Sequence, residues 1–220
     1  MFGMDDHVLS RRRVLTLAAA ATLSAELVPG AFRLLGAAAA LPPATVAPAG
    51  FRFLDSIEFG LRVAIPDDLV PIRPWEVLLE EGGKDVLMEL TERSPGALDG
   101  FLENTDVMAG SDDGASVNVM RIHFHRVPTP ADLAAETEDL QLTDVEWGQV
   151  STVFGRATTM RSKTVLFDGA VVVPGYVLWA QNARGVFSLQ VTGPSDEVTD
   201  ALYAIVLRTL QPLSPGVRTG

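Results

Sequence analysis

Apolar residues along this chain recur mainly at every second position, in short runs separated by turn signals, which predicts strands with a few helices inserted over residues 51–212. Phe51–Leu54 and Phe59–Ile65 are β-compatible. The second alternates Phe59, Leu61, Val63 and Ile65 against Gly60, Arg62 and Ala64, and Pro66-Asp67-Asp68 ends it in a turn. Trp75–Glu80 and Asp85–Thr91 read as two strands joined around Gly82-Gly83. Ala97–Met108 reads as a helix on Leu98, Phe101, Leu102 and Met108, closed by the loop Gly110-Ser111-Asp112-Asp113-Gly114.

Ala115–Val127 predicts a long strand with Met120, Ile122 and Phe124 on one face and Val117, Val119, Arg121, His123 and His125 on the other. Thr129-Pro130-Ala131-Asp132 is a helix start, with a capping hydroxyl, proline in the first helical position and an acid in the first turn; the helix is expected to reach about Leu140. Val153–Phe167, Ala170–Ala180 and Gly185–Val191 form a meander turned at Asp168-Gly169 and at Asn182-Ala183-Arg184-Gly185. Pro174-Gly175 predicts a bulge or an exposed edge in the middle strand. Ser195-Asp196-Glu197 caps a closing helix with Val198, Ala201, Leu202, Ile205 and Val206 as its apolar stripe and Arg208 in the last turn. Tight antiparallel turns with three inserted helices give an α+β class, an antiparallel sheet flanked by helices in an α/β/α sandwich.

The N-terminal stretch breaks this pattern. Ser10-Arg11-Arg12-Arg13 stands ahead of the apolar run Val14–Val28, which Pro29-Gly30 interrupts: the layout of a twin-arginine export signal, with Arg11 and Arg12 as its pair. The apolar run is shorter than the roughly 20 residues of a spanning helix, and Ala37–Ala40 offers small residues for cleavage after Ala39 or Ala40. The expected organisation is a signal peptide over residues 1–40, a Pro/Ala tether over 41–50, one domain over 51–212 and a frayed tail over 213–220. The protein is therefore expected in the periplasm, the cell envelope or the medium, with the twin-arginine translocase as its partner during export and no stable membrane anchor.

Composition narrows the chemistry. The chain of 220 residues carries a formal charge of −11, and the leader's arginines outnumber its acids by one, so its loss leaves the domain more acidic still. Such a surface repels phosphate backbones and anionic lipid headgroups, which argues against nucleic acid. The absence of cysteine removes disulfides, thiolate metal sites, cysteine nucleophiles and lipidation at a lipobox, and suits a protein that folds in a reducing compartment before export.

The strand ending in Ile65-Pro66, the Trp75 strand, Val117-Asn118-Val119 followed by Thr129-Pro130-Ala131-Asp132-Leu133, the Gly155-Arg156-Ala157 strand and the Ser195 helix together resemble the LpqN-type envelope proteins of actinobacteria, within the PsbP-like fold superfamily. The resemblance covers about residues 51–210 and rests on pattern and spacing. It implies a sheet between helices, used for binding and assembly, in accessory proteins of the cell envelope tied to proteins that handle its lipids. The chain departs from that family in having no lipidated cysteine.

Few constellations carry chemistry. His123 and His125 stand at ligand spacing, but no further ligand is marked out and Arg121 opposes a cation, so no metal is assigned. The acids Glu80, Glu81, Asp85, Glu89, Asp112 and Asp113 lack the spacing of a calcium loop. Neither a nucleophile elbow nor a glycine-rich phosphate loop occurs, so no catalytic residue and no cofactor is assigned. The remaining candidates are Trp75, Trp147, Tyr176 and Trp179, which with Met120 and Phe187 would line an apolar pocket if helices stand off the sheet. The first reading is a non-enzymatic exported module that binds an envelope protein or lipid through the sheet and its edge loops. The second is a lipid or small-molecule carrier with an apolar groove, and the third a hydrolase.

Overall fold

The computed structural model describes residues 46–73, 76, 97–111, 114–133, 142–166 and 171–213. The export signal with Arg11 and Arg12, Trp75, the two strands expected around Gly82-Gly83, the acids Glu80, Glu81, Asp85, Glu89, Asp112 and Asp113, the helix past Leu133, the Asp168-Gly169 turn and the tail after Leu213 lie outside the described residues. Strands β1 (Phe51–Ser56), β2 (Leu61–Pro66) and β3 (Val70–Ile72) are followed by helix α1 (Ala97–Asn104), β4 (Thr105–Gly110) and β5 (Ser116–Arg121). Then come β6 (Leu142–Thr152), β7 (Gly155–Leu166), β8 (Val171–Asn182), β9 (Gly185–Thr192), α2 (Asp196–Thr209) and β10 (Gln211–Pro212).

All strand pairs are antiparallel. They make a seven-stranded sheet in the order β3-β4-β5-β9-β8-β7-β6 and a three-stranded sheet in the order β1-β2-β10. The alternation read in Leu61, Val63 and Ile65 holds, and these side chains are fully buried against Val117, Val119, Phe187, Leu189 and Val191 of the large sheet and Leu202 and Val206 of α2. One face of the large sheet is thus covered jointly by the small sheet and α2. Asn182 Nδ2 donates to the Phe59 carbonyl at 2.7 Å, and Arg184 donates to the Ile57 and Glu58 carbonyls, fixing the β1–β2 loop to the end of the β8–β9 hairpin.

The expected α/β/α sandwich flanked by helices is corrected by this arrangement: the chain is mainly strand, in two antiparallel sheets, with two helices among the described residues. Three local readings account for the difference. The helix expected over Ala97–Met108 stops at Asn104, because Thr105 and Val107 are β-branched and Val107, Met108, Ala109 and Gly110 find partners on β5. The strand expected over Ala115–Val127 ends at Arg121. β6 is an additional strand, whose Trp147, Gln149 and Val150 pair with Met160, Thr158 and Ala157 through a turn at Val153-Phe154, inside what had read as one strand from Val153.

Pro174-Gly175 makes no bulge, and Pro174 lies where β8 has a neighbour on β7 only, a local edge that is buried and not exposed. β8 runs unbroken between β7 and β9, and β9 ends at Thr192 opposite Gly175, so no β9 residue pairs with Pro174 where its missing N–H would be felt. The closing helix is capped as expected: the Ser195 hydroxyl accepts the Val198 N–H at 3.3 Å, with Asp196 and Glu197 in the first turn. Its buried stripe is rotated, however, to Thr199, Leu202, Val206 and Thr209, and Val198 is exposed.

Thr209 explains the rotation. Its hydroxyl donates to the Ile205 carbonyl at 2.7 Å and accepts the Ala64 N–H of β2 at 2.9 Å, beyond the reach of the two-residue β10. Thr209→Val keeps the shape and orphans that buried N–H. The expected cost is about 1–3 kcal/mol, read as a lowered denaturation midpoint; a midpoint unchanged from wild type would contradict this role.

Candidate functional site

The two faces of the large sheet differ in kind. The face toward α2 and the small sheet is apolar at its centre. The opposite face carries, rung by rung across the strands, Met108–Asn118–Gln190–Val177–Met160–Trp147, then Thr105–Met120–Ser188–Trp179–Thr158–Gln149, then Gly110–Ser116–Thr192–Gly175. Asn118, Gln190 and Ser188 are fully buried there, and Ser116, Thr192 and Thr158 nearly so.

Some of these polar groups are satisfied within the protein. Ser116 Oγ and Thr192 Oγ1 share a hydrogen bond at 2.8 Å, and Thr158 Oγ1 donates to the Pro128 carbonyl at 2.6 Å. The centre differs. Both side-chain atoms of Asn118, both of Gln190 and the Ser188 hydroxyl have no hydrogen-bond partner, and neither do Thr105 Oγ1 and Trp147 Nε1 on the same face. Asn118 and Gln190 are directly opposed in register, a relation that brings Cβ atoms within about 5 Å, yet the two carboxamides do not bond each other. Burying a polar group unpaired costs roughly 1–3 kcal/mol, and native interiors carry few such groups. Five unpaired atoms are thus concentrated on three adjacent residues, with hydrogen bonds left to make.

The apolar surround is specific. Trp147 and Trp179 stack at 5.8 Å between ring centres with a 25° tilt, and pack with Met160, Val177, Val186, Ile122 and Leu133. Met108, Met120 and Met160 are fully buried beside or near the amides. Every buried polar side chain among the described residues is uncharged.

Of the aromatic and methionine set singled out in the sequence, the fold brings together Met120, Trp147 and Trp179 on this face. It sends Phe187 and Tyr176 to the other, because residues one apart along β8 and β9 point oppositely. Phe187 sits in the main core at 5.6 Å from Phe59 and 5.7 Å from Phe154. Tyr176 stacks flat on Tyr203 of α2, 4.0 Å between ring centres, and donates to Asp200 at 3.0 Å. Burial, reinforced by Asp200, pushes the Tyr176 hydroxyl up to about 12, and burial raises that of Tyr203 as well. Arg161 bridges to Asp196 and Asp200, and Lys163 to Asp144 and Asp196, so the surroundings of Tyr176 form an ion-pair lattice that seats α2 on β7. A pocket lined by all six residues is thus not formed.

His123 and His125 are exposed and lie past the end of β5, off the strand that was to align them, and no group of three metal-binding side chains occurs among the described residues. Thr129 and Asp132 form a hydrogen-bonded turn, the helix expected beyond it lying outside the described residues: the Thr129 N–H and hydroxyl both donate to Asp132 Oδ2, while Arg126 makes a bidentate pair with the same carboxylate and holds its pKa well below the usual range.

Sequence reasoning missed Asn118, Ser188 and Gln190. Their setting was visible, as polar residues inside the runs Ser116-Val-Asn-Val-Met120 and Phe187-Ser-Leu-Gln-Val191. Such alternation ordinarily marks a solvated face, and only the tertiary structure shows that both faces are buried. In comparisons with known proteins, neither a family model nor a curated protein matches the chain.

Proposed function

We propose that this protein is a non-enzymatic binding protein that carries a small organic molecule against the Asn118–Gln190–Ser188 face of its large sheet. The observation that carries the reading is the group of five buried, unpaired polar atoms on adjacent rungs of β5 and β9. A ligand that pairs with them relieves their desolvation on binding, which makes the site's affinity a consequence of its strain on the free fold. Met120, Trp147, Trp179 and Met160 are the apolar and polarisable side chains that share this face.

Docking of an envelope protein through the sheet edges ranks second. Among the described residues the large exposed apolar side chains are scattered: Val46 precedes β1, Ile57 and Val153 lie in turns, and Val70, Val172 and Val198 lie on β3, β8 and α2. The Arg11-Arg12 leader, which would pass the folded domain through the twin-arginine translocase, supports a carrier that works outside the cytoplasm, and the likeness to LpqN-type proteins supports an envelope setting. Among the described residues no helix is long and apolar enough to cross a membrane.

The test is retention. Folded protein is dialysed exhaustively and extracted with organic solvent, beside an equal sample unfolded before dialysis, and both extracts are analysed by mass spectrometry. A compound held only by the folded sample is expected; identical extracts would refute the carrier reading.

A further inference from the structure

We propose that one end of the domain, built from the β1–β2, β6–β7 and β8–β9 turns, docks reversibly on an anionic lipid surface. Ile57 and Val153 enter the interface, and Arg156, Arg184 and Arg208 lie among the headgroups. The proposal is independent of the carrier reading and comes from where the strand register gathers the turns. The Val153-Phe154 and Ala183-Arg184 turns share one end of the large sheet, because Thr158, just past Gly155, pairs with Trp179, just before Asn182. The β1–β2 turn is fixed beside them: Arg184 donates to the carbonyls of Ile57 and Glu58, and Phe59 and Phe154 both pack on Phe187. The C-terminal end of α2 reaches the same place, since the Leu213 N–H just beyond it donates to the Gly60 carbonyl at 2.7 Å.

A single exposed aliphatic side chain is ordinary on a protein surface. Here Ile57 at 52% exposure and Val153 at 43% ride on turns of one end, which also carries exposed Arg156, Arg184 and Arg208. Apolar tips with cations around them are the two parts of interfacial binding, a small apolar area buried below the headgroups and attraction to anionic lipid. Tips on separate turns make no continuous apolar centre of the kind a protein interface packs, whereas a bilayer closes around them.

The charge of −11 opposes approach at long range. The charges are segregated along the strands, however. Exposed Asp67, Asp68 and Glu197 stand at the opposite end, across the six-residue β2, about 20 Å of strand. That exceeds the Debye length of about 8 Å at physiological ionic strength, so near a surface the arginines outweigh the distant acids and turn this end toward it. Of the acids nearer by, Glu58 and Asp132 pair with Arg121 and Arg126, and Glu103 and Asp106 stand at the α1–β4 junction, with β4 three strands from β8.

The chain has no cysteine, so Val153→Cys and Glu197→Cys each offer one thiol for an NBD fluorophore, whose emission moves to the blue when it enters a bilayer. Full-length chain labelled at either position is titrated with vesicles of phosphatidylglycerol and phosphatidylcholine in equal parts, and with vesicles of phosphatidylcholine alone. A blue shift is expected at position 153 with the anionic vesicles only, and none at position 197. Because the label reports its own surroundings, contact by this end is separated from contact by the N-terminal apolar run, which both chains share. Adding Arg156→Gln and Arg208→Gln to the Val153→Cys chain is expected to weaken its response at least about tenfold. No shift at position 153, an equal shift at 197, an equal shift with neutral vesicles, or an unchanged response without the two arginines would overturn the proposal. A shift produced by polyglutamate and not by vesicles would overturn it too, and would assign this end to an acidic protein.

Discussion

Phe187→Ala is expected to lower stability by about 3–5 kcal/mol, the usual cost of removing a fully buried phenylalanine from a core that cannot collapse around the gap. Phe187 is fully buried and joins three parts of the chain. Its ring meets Phe59, from the loop that leads into β2, at a 44° tilt, and Phe154, from the β6–β7 turn, edge-on at 87°. Such aromatic pairs add about 0.5–1.5 kcal/mol beyond area burial. The loss therefore falls on the contact between the two sheets and on the far hairpin together. Against a typical total of about 5–15 kcal/mol, the variant should melt some 6–20 °C below wild type. Urea unfolding would give the free energy directly. A loss under about 1.5 kcal/mol would mean that the small sheet is not held to the large one through this ring.

Gln190→Met is expected to do the reverse. Methionine matches glutamine in length and flexibility, and it replaces two buried polar atoms that have no partner with atoms that need none. The gain should be about 1–3 kcal/mol, measured on protein freed of small molecules so that ligand binding does not add its own stabilisation to wild type. Point substitutions destabilise by about 1 kcal/mol at the centre of their distribution, and core ones by more, so a gain at a fully buried position would be diagnostic: it marks a side chain kept for something other than folding. Destabilisation of the ligand-free protein by Gln190→Met would show that the amide is satisfied in the folded state and would remove the basis of the site.

Much of the architecture was legible because local rules were enough to give it. The Leu61-Val63-Ile65 alternation, the β8–β9 hairpin turning at Asn182–Gly185, and the Ser195 cap all depend on residues close together in sequence, and all are where they were expected. The layers were not legible. Whether Leu98, Phe101 and Met108 mark one helix or a helix followed by a strand is decided by β5, which recruits Thr105–Gly110 as a neighbour. β6, with its bulge between Thr143 and Glu146 and its Asp144 at φ 53°, gives no clean two-residue period to detect. The same limit hid the site. Asn118 and Gln190 sit where a polar residue normally faces water, and their meaning depends on a register that pairs them across β5 and β9 and on a cover that closes over them. Of the six aromatic and methionine candidates, Met120, Trp147 and Trp179 share one face of the large sheet, while strand parity alone, once the register is known, moves Tyr176 and Phe187 to the opposite face.

The central claim is that the Asn118–Gln190–Ser188 face is a ligand site and not merely a polar patch in the core. Native mass spectrometry of wild type and of Gln190→Met, purified side by side from the same host, tests it most directly. Wild type is expected to carry the added mass of one small organic molecule and Gln190→Met to appear at the mass of the bare chain. Wild type at the bare mass, or the same added mass on both, would contradict it.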